Sequence, residues 1–435
     1  MVLNPIKIRT TYGFPVKEDF HYSWRTVYQY LKKNLWPNDR IFVRQGEGVF
    51  PQFYFGSNLK NKVWFEENYV LSLAASEYQK LVNDGRNNYF ITIPDFKDTF
   101  LSTVTSSVFI TKVGEHNIYQ INFLKKKDLK ITANSKGEWD FYDDFATARY
   151  LIEADDWSNL ISTYIGNYNL PMTYGFHNLF PQDFSNAQIT YHFQIPKKEP
   201  FYIKPLFFLD KGAIFKIYLR SAGSNWQEIY QQSASEKKYF QPLLKIEDSR
   251  FLSQDFLLKI EFIIDQNQLP DLKNVGLKSL WLFNPFDKEE KDFKVSQEGQ
   301  SLNYFYKTDL EVFKSRKWLY QTTASDGWIQ SIDGILFRLY GQPEENPLIY
   351  KFNFPKTSSR FDLGLKTYAF NNELDVYVKV DDGPWKFWQI KNDNEVKNYN
   401  LSMIGGKRLE VKLICQKEGP TCQLRDLNLN AELVQ

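Results

Sequence analysis

Apolar and polar positions alternate along this 435-residue chain with two different periods. Near the start the period is helical. In SWRTVYQYLKKNL, residues Trp24, Val27, Tyr28, Leu31 and Leu35 recur at three- and four-residue steps and predict an amphipathic helix. Ser23 is placed to cap its start, and Pro37 lies beyond its end. SLAASEYQKLVNDG predicts a second helix, with Ala74, Tyr78, Leu81 and Val82 on one face and Gly85 as the C-cap. Two short apolar runs read as strands: DRIFVRQ, and YFITIPD at Tyr89–Asp95, which is too apolar for an exposed edge. SVFITKVGEHNIYQINF reads as a hairpin turning at Val113–Glu115. Helix, strand, helix, strand is the rhythm of a small α/β (Rossmann-like) domain, expected over residues 1–127.

Beyond residue 128 the period falls to two. IFKIYL and LDVYVKV alternate apolar and polar side chains, as strands with one wet face do. DDGPW at Asp381–Trp385 has the chemistry of a turn. This part of the chain also repeats itself. ITYHFQIPKK at Ile189–Lys198 and LIYKFNFPKT at Leu348–Thr357 share Tyr, Phe and Pro at an offset of 159 residues. The same offset carries Tyr218 onto Tyr377 and Trp226 onto Trp385. With small shifts, FLLKIEFI (Phe256–Ile263) resembles KRLEVKLI (Lys407–Ile414), and LKSLWL (Leu277–Leu282) resembles LRDLNL (Leu424–Leu429). Upstream, FYDDF (Phe141–Phe145) resembles FYKTDL (Phe305–Leu310). Each copy has the size of a domain, not of a solenoid unit. Two antiparallel β-sandwiches are therefore expected, over 128–290 and 291–435.

The order Y-x-F…P, apolar strand, turn, Trp, LLKIEF and a closing LKSLWL strand resembles the galactose-binding-like jelly roll of many carbohydrate-binding modules and discoidin-like domains. That resemblance implies two jelly rolls, and ligands ranging from sugars to lipids or proteins. WRTVYQYLKKNLWPNDRIFV resembles a different family. With Trp24, Arg25, Val27, Tyr30, Leu31, Pro37 and Asp39 it is similar to the soluble segment that follows the last membrane span in GT-C glycosyltransferases, relatives of protein O-mannosyltransferases and lipid A aminoarabinose transferases. This implies an extracytoplasmic location, membrane attachment through a region outside this sequence, and a polyprenyl-phosphate-sugar-dependent parent enzyme. The catalytic acids of that family lie in a loop between spans, and no residue here corresponds to them.

Composition narrows the partners. The aromatic share is 17%, with 27 Tyr and 37 Phe, which favours β structure. Net charge is +2, and no basic run exceeds LKKKDLK, so a nucleic-acid footprint is not expected. No apolar run approaches the roughly 20 residues of a membrane span. The opening MVLNPIKIRTTYGF lacks a signal-peptide apolar core, leaving a cytosolic protein or a soluble piece of a longer chain. The only cysteines, Cys415 and Cys422, flank the turn-like QKEGPT. A bridge across that hairpin, which would point to an oxidising compartment, and two free thiols are both open.

Candidate chemistry is sparse. GEGVFP (Gly46–Pro51) has two glycines after a strand, but Pro stands where a phosphate-cradling loop has its third Gly; a plain β-to-α turn is the simpler reading. His21, His116, His177 and His192 have no metal-ligand spacing, and no G-x-S-x-G occurs. Asp143/Asp144, Asp155/Asp156 and Asp381/Asp382 are adjacent pairs, which strands point to opposite faces, unlike the facing carboxylates of a glycosidase. At Asp144, where galactose-binding-like domains often hold structural Ca²⁺, a calcium ligand competes with ordinary turn capping. No other cofactor is expected. Trp226 and Trp385, present in both copies, read as core residues, whereas Trp388 faces Ile229 in the repeat and is a candidate sugar-stacking ring. The loop Tyr164–Phe180 offers Tyr164, Asn167, Tyr168 and Tyr174 as sugar contacts. Asn400 in NLS fits a glycosylation acceptor on a surface turn. The expectation is a non-catalytic region that holds a glycan or cell-surface polymer. A free-standing carbohydrate-binding protein is the alternative. A glycoside hydrolase comes third, because the α/β part is far short of the roughly 250 residues of a catalytic barrel.

Overall fold

The computed structural model describes residues 19–35, 38–44, 64–93, 96–135, 137–145, 147–165, 176–221, 223–284, 294–298, 301–308, 310, 322–324, 327–330, 335–338, 342–390, 395–419 and 421–433. The Gly46–Pro51 motif lies outside them. The first layer is a mixed sheet of β1 (Arg40–Val43), β2 (Trp64–Glu66), β3 (Asn88–Thr92), β4 (Thr105–Val113) and β5 (His116–Phe123), in the order β2-β1-β3-β5-β4. β1 runs parallel to both β2 and β3, and β3, β5 and β4 are antiparallel. Gly114, at φ +62°, makes the β4–β5 turn where the sequence places it. The period of two in β1 sends its side chains to opposite faces. Ile41 and Val43 pack with Trp24, Val27 and Leu31 of the helix Asp19–Asn34. Phe42 joins the core that holds Tyr78 and Leu81 of the helix Ala75–Asn83. The first helix starts at Asp19, so Ser23 lies inside it and is not its cap. Gly85, at φ +68°, follows the second helix as expected.

The first repeat adds β6 (Leu129–Lys130), β7 (Asp140–Asp143), β8 (Ala154–Ser158), β9 (Leu160–Ile165), β10 (Phe176–Pro181), β11 (Ala187–Gln194), β12 (Phe201–Leu209), β13 (Ala213–Ser221), β14 (Gln227–Ser233), β15 (Lys238–Phe240), β16 (Leu244–Ile246), β17 (Asp255–Ile264) and β18 (Gly276–Phe283). One sheet runs β14-β13-β17-β11-β6, with β8 also on β11; the other runs β15-β12-β18-β10-β9, with β7 on β18 and β16 on β12. The second repeat adds β19 (Lys294–Glu298), β20 (Ser301–Lys307), β21 (Thr322–Ala324), β22 (Trp328–Gln330), β23 (Leu336–Arg338), β24 (Leu348–Asn353), β25 (Ser358–Ala369), β26 (Leu374–Val380), β27 (Lys386–Ile390), β28 (Lys397–Ile404), β29 (Arg408–Cys415) and β30 (Cys422–Leu433). Its sheets are β27-β26-β29-β24-β21 and one centred on β30, which pairs with β20, β23 and β25, while β28 pairs with β25.

The two repeats have the same topology. β11, β13, β14 and β17 occupy in the first the places of β24, β26, β27 and β29 in the second; β12 and β18 correspond to β25 and β30. Inward side chains of the facing sheets fill each sandwich, and β17 alternates buried and half-buried positions over its whole length. Two cores result. One holds Tyr191, Phe193, Phe215 and Leu258, and the other Tyr350, Phe352, Val376 and Val411. The cores also reach across the repeats. The first includes Phe42, Tyr78 and Phe123 of the α/β layer, and Trp281 and Phe283 of β18 pack into the second.

Cys415 and Cys422 form a disulfide, with Cα atoms 5.9 Å apart. They lie on β29 and β30, strands of different sheets, so the bridge ties two layers of the second sandwich together instead of closing a hairpin. Asn400 is exposed in the middle of β28, paired with Gly364, and not on a turn. The chain crosses between sheets again at Gly405–Gly406. A Cβ on Gly405 would sit 2.1 Å from the Ser358 carbonyl oxygen and 2.6 Å from the Arg360 nitrogen. Gly405→Ala is expected to destabilise the protein by about 1–3 kcal/mol through this backbone clash, measured as a lower urea midpoint.

Candidate functional site

The solvent faces of the two equivalent sheets carry the same cluster. In the first sandwich Tyr218 on β13 stands opposite Lys259 on β17. The Lys259 ammonium lies 4.3 Å from the Tyr218 ring centroid and 5.4 Å from that of Trp226, and the Arg220 guanidinium lies 4.8 Å from Trp226. In the second, Tyr377 on β26 stands opposite Lys412 on β29. The Lys412 ammonium is 4.4 Å from the Tyr377 ring and 4.8 Å from Trp385, with Lys379 at 5.9 Å from Trp385. All six distances fall within the range of cation–π attraction.

Geometry explains why these residue types recur. The turn after β13, like that after β26, leads into the strand paired beside it, and the Trp that ends the turn lies next to the outward Lys of the same sheet. Positions 218 and 220, like 377 and 379, point the same way by the period of two. The expectation that Trp226 and Trp385 are core residues is thereby corrected. Neither ring belongs to either core, and Trp385 is 36% exposed. Repetition preserved a surface arrangement here, not a packing contact. Phe387 extends the second platform, 4.9 Å from Tyr377 and 52% exposed.

Charge differs between the copies. In the first, Glu261 lies 3.7 Å from Lys259, and Glu228 pairs with Lys216 at 2.7 Å. In the second, Glu410 is 3.8 Å from Lys351. Among the described residues neither Lys379 nor Lys412 is ion-paired with a carboxylate. Loss of solvent, reinforced by Glu261, pushes the Tyr218 phenol above its ordinary value; loss of solvent and then Asp375 do the same to Tyr377. Both phenols are therefore neutral hydrogen-bonding groups at physiological pH.

The other sequence candidates fall elsewhere. Trp388 pairs with Val376, so it points inward and packs against the second core, while its neighbour Phe387 faces solvent. Tyr164 lies in β9 opposite His177. Asn167, Tyr168 and Tyr174 lie outside the described residues. Asp144 is half-buried at the end of β7, beside a corner where Arg149 donates to the Tyr142 carbonyl at 2.9 Å. Among the described residues no group of three or more His, Cys, Asp and Glu side chains is placed to hold a metal ion. His192 is half-exposed, 2.6 Å from Asp255. No helix among the described residues is long and apolar enough to cross a membrane.

No protein-family profile and no curated protein matches this chain. Among solved structures it is similar to a family two carbohydrate esterase from Cellvibrio japonicus, at 17% identity over 31% of this chain and 35% of that one, with a TM-score of 0.21. It is also similar to the GH26-CBM35 β-(1,4)-mannanase of Podospora anserina, at 10% identity over 31% of this chain and 28% of that one, with a TM-score of 0.20. The CBM22-1–CBM22-2 tandem of Paenibacillus barcinonensis Xyn10C matches at 11% identity over 63% of this chain and 93% of that one, with a TM-score of 0.18. The chain thus spans about a third of the length of the first two. Its double-sandwich architecture rests on the strand pairings described above.

Proposed function

We propose that the chain is a non-catalytic glycan-binding region, and that each sandwich takes a sugar on the outer face that carries Tyr218 or Tyr377. One observation carries this reading: a ring-and-cation platform occurs twice, on the solvent side of equivalent sheets. A flat indole accepts the apolar face of a pyranose, and neighbouring Lys, Arg and Tyr groups donate to its oxygens. Two sites on one chain act together, so millimolar affinity at each suffices for a polymer.

The disulfide supports an oxidising, extracytoplasmic setting. The resemblance at Trp24, Arg25 and Asp39 extends the proposal: the chain is the exposed part of a polyprenyl-phosphate-sugar-dependent membrane glycosyltransferase, and its sandwiches position a glycan acceptor. A free-standing surface protein would use the same platforms. Hydrophobic spans encoded in frame ahead of residue 1 would decide for the enzyme.

Binding is tested with a glycan array and titration calorimetry on the full chain. Trp385→Ala is expected to weaken binding about tenfold, and the double variant with Trp226→Ala to abolish it, with thermal stability unchanged because both rings lie outside the cores. Binding that survives the double variant would overturn the assignment to these faces.

A further inference from the structure

We infer that the glycan held on the second sandwich is acidic, a polysaccharide whose sugar rings carry carboxylates. This rests on the glycan-binding reading and specifies its chemistry. Lys379 and Lys412 both stand over Trp385, and neither is ion-paired with a carboxylate among the described residues. A sugar stacked on Trp385 strips water from both ammonium groups. A neutral sugar offsets that desolvation only in part, because its hydroxyls accept hydrogen bonds from the ammonium groups but bring no counter-charge. A uronic acid replaces the lost water with ion pairs while its ring keeps the indole contact.

The platform is built for a sugar polymer and not for any polyanion. Its rings, Trp385, Tyr377 and Phe387, lie on one outer face, and the cations stand over Trp385 as a pair and not in a stripe. In the first sandwich Glu261 already stands beside Lys259, so only Arg220 is left without a carboxylate among the described residues. The second sandwich is therefore the stronger site for an acidic ligand.

The test titrates the full chain with oligogalacturonate, its fully methyl-esterified form, galacturonic acid monomer and single-stranded DNA, at low and high salt. Oligogalacturonate is expected to bind at least tenfold more tightly than the ester and than the monomer. Its affinity should fall severalfold as salt rises. Lys379→Met with Lys412→Met keeps the aliphatic stems against the ring and should lose about tenfold in affinity, the scale of two exposed ion pairs. Lys412→Arg, which keeps the charge, should retain most of it. Ester and acid binding alike, with the methionine variant unaffected, would overturn the acidic-ligand inference and leave glycan binding standing. DNA binding as strong as oligogalacturonate would also overturn it. Failure of oligogalacturonate to bind would overturn the acidic-ligand inference, and silence across the glycan array as well, or indifference of glycan binding to Trp385→Ala, would remove both.

Discussion

Trp157→Ala is expected to destabilise the protein by about 3–5 kcal/mol and to lower the stability of the α/β layer and the first sandwich together. Trp157 sits on β8 and is 2% exposed. Its ring packs 6.1 Å from Tyr78 of the α/β layer and 5.8 Å from Tyr150 of the sandwich, by centroid. Its indole N–H donates to the Leu73 carbonyl at 2.6 Å. The Tyr150 hydroxyl donates to Leu71 at 3.0 Å, and the Gln182 amide to Ser72 at 2.7 Å. Three sandwich side chains thus satisfy three successive carbonyls at the end of the 3-10 segment Glu67–Ser72, groups that a short helix leaves without internal partners. Removing the indole opens a cavity in a shared core and leaves the buried Leu73 carbonyl short of a donor.

Calorimetry separates the outcomes. A shared core predicts a single transition for the α/β layer and the first sandwich, which Trp157→Ala lowers as a unit. Trp157→Phe, which keeps most of the packing, should recover more than half of the loss. A variant whose α/β layer melts as in the wild type, while the first sandwich alone is weakened, would show that the joint transmits no stability.

The periods of the sequence carried the elements well. The helices at Trp24 and Tyr78, the β4–β5 hairpin and the duplicated strand order all follow from spacing. Parity was the weak point, because one residue of slip exchanges the two faces of a strand. FYDDF aligned with FYKTDL puts Phe141 on Phe305, yet Phe305 is 41% exposed and Tyr306 is buried. The equivalent rings are Phe141 and Tyr306, which pack 5.0 Å from Phe193 and Phe352 respectively. Trp388 and Phe387 pose the same problem: WKFW offers aromatics at both parities, and only the pairing of Tyr377 with Phe387 decides which one faces water. The Lys259–Lys412 equivalence was hidden by an alignment slip of two residues, which preserves the face but misplaces the cation. One signal was available, since the 159-residue offset lays Arg220 on Lys379, a cation on the same alternating face as the repeated Tyr.

Asp143 carries the second large effect, and its sign is opposite to that of a carboxylate in an ion pair. The residue is 2% exposed, accepts from the Phe145 N–H at 2.8 Å and receives the Tyr191 hydroxyl at 3.3 Å. Burial raises its pKa from 3.8 to about 6, against the pull of Arg149 and the Phe145 hydrogen bond. Below pH 4 the folded and unfolded states both keep the proton. As pH rises through 4 to 6 the unfolded chain releases it first, so the stability contributed by the protonated form is lost by about pH 6. The loss is about 3 kcal/mol for a shift of roughly two units. Asp143→Asn supplies an oxygen for Phe145 and an amide that donates to Tyr191, without a charge to bury. The second sandwich shows that an uncharged side chain fits there: Thr308, in the equivalent place, is fully buried and donates to Asp426 at 2.8 Å. Asp143→Asn is therefore expected to raise stability at pH 7.5 by up to about 3 kcal/mol and to flatten the decline between pH 4 and 6, read from urea unfolding across that range. Calcium supplies the opposing outcome. If millimolar Ca²⁺ stabilises the wild type, and Asp143→Asn or Asp144→Asn removes that gain and lowers stability at pH 7.5, then the charged carboxylate is the working form and this corner binds a cation instead of protonating.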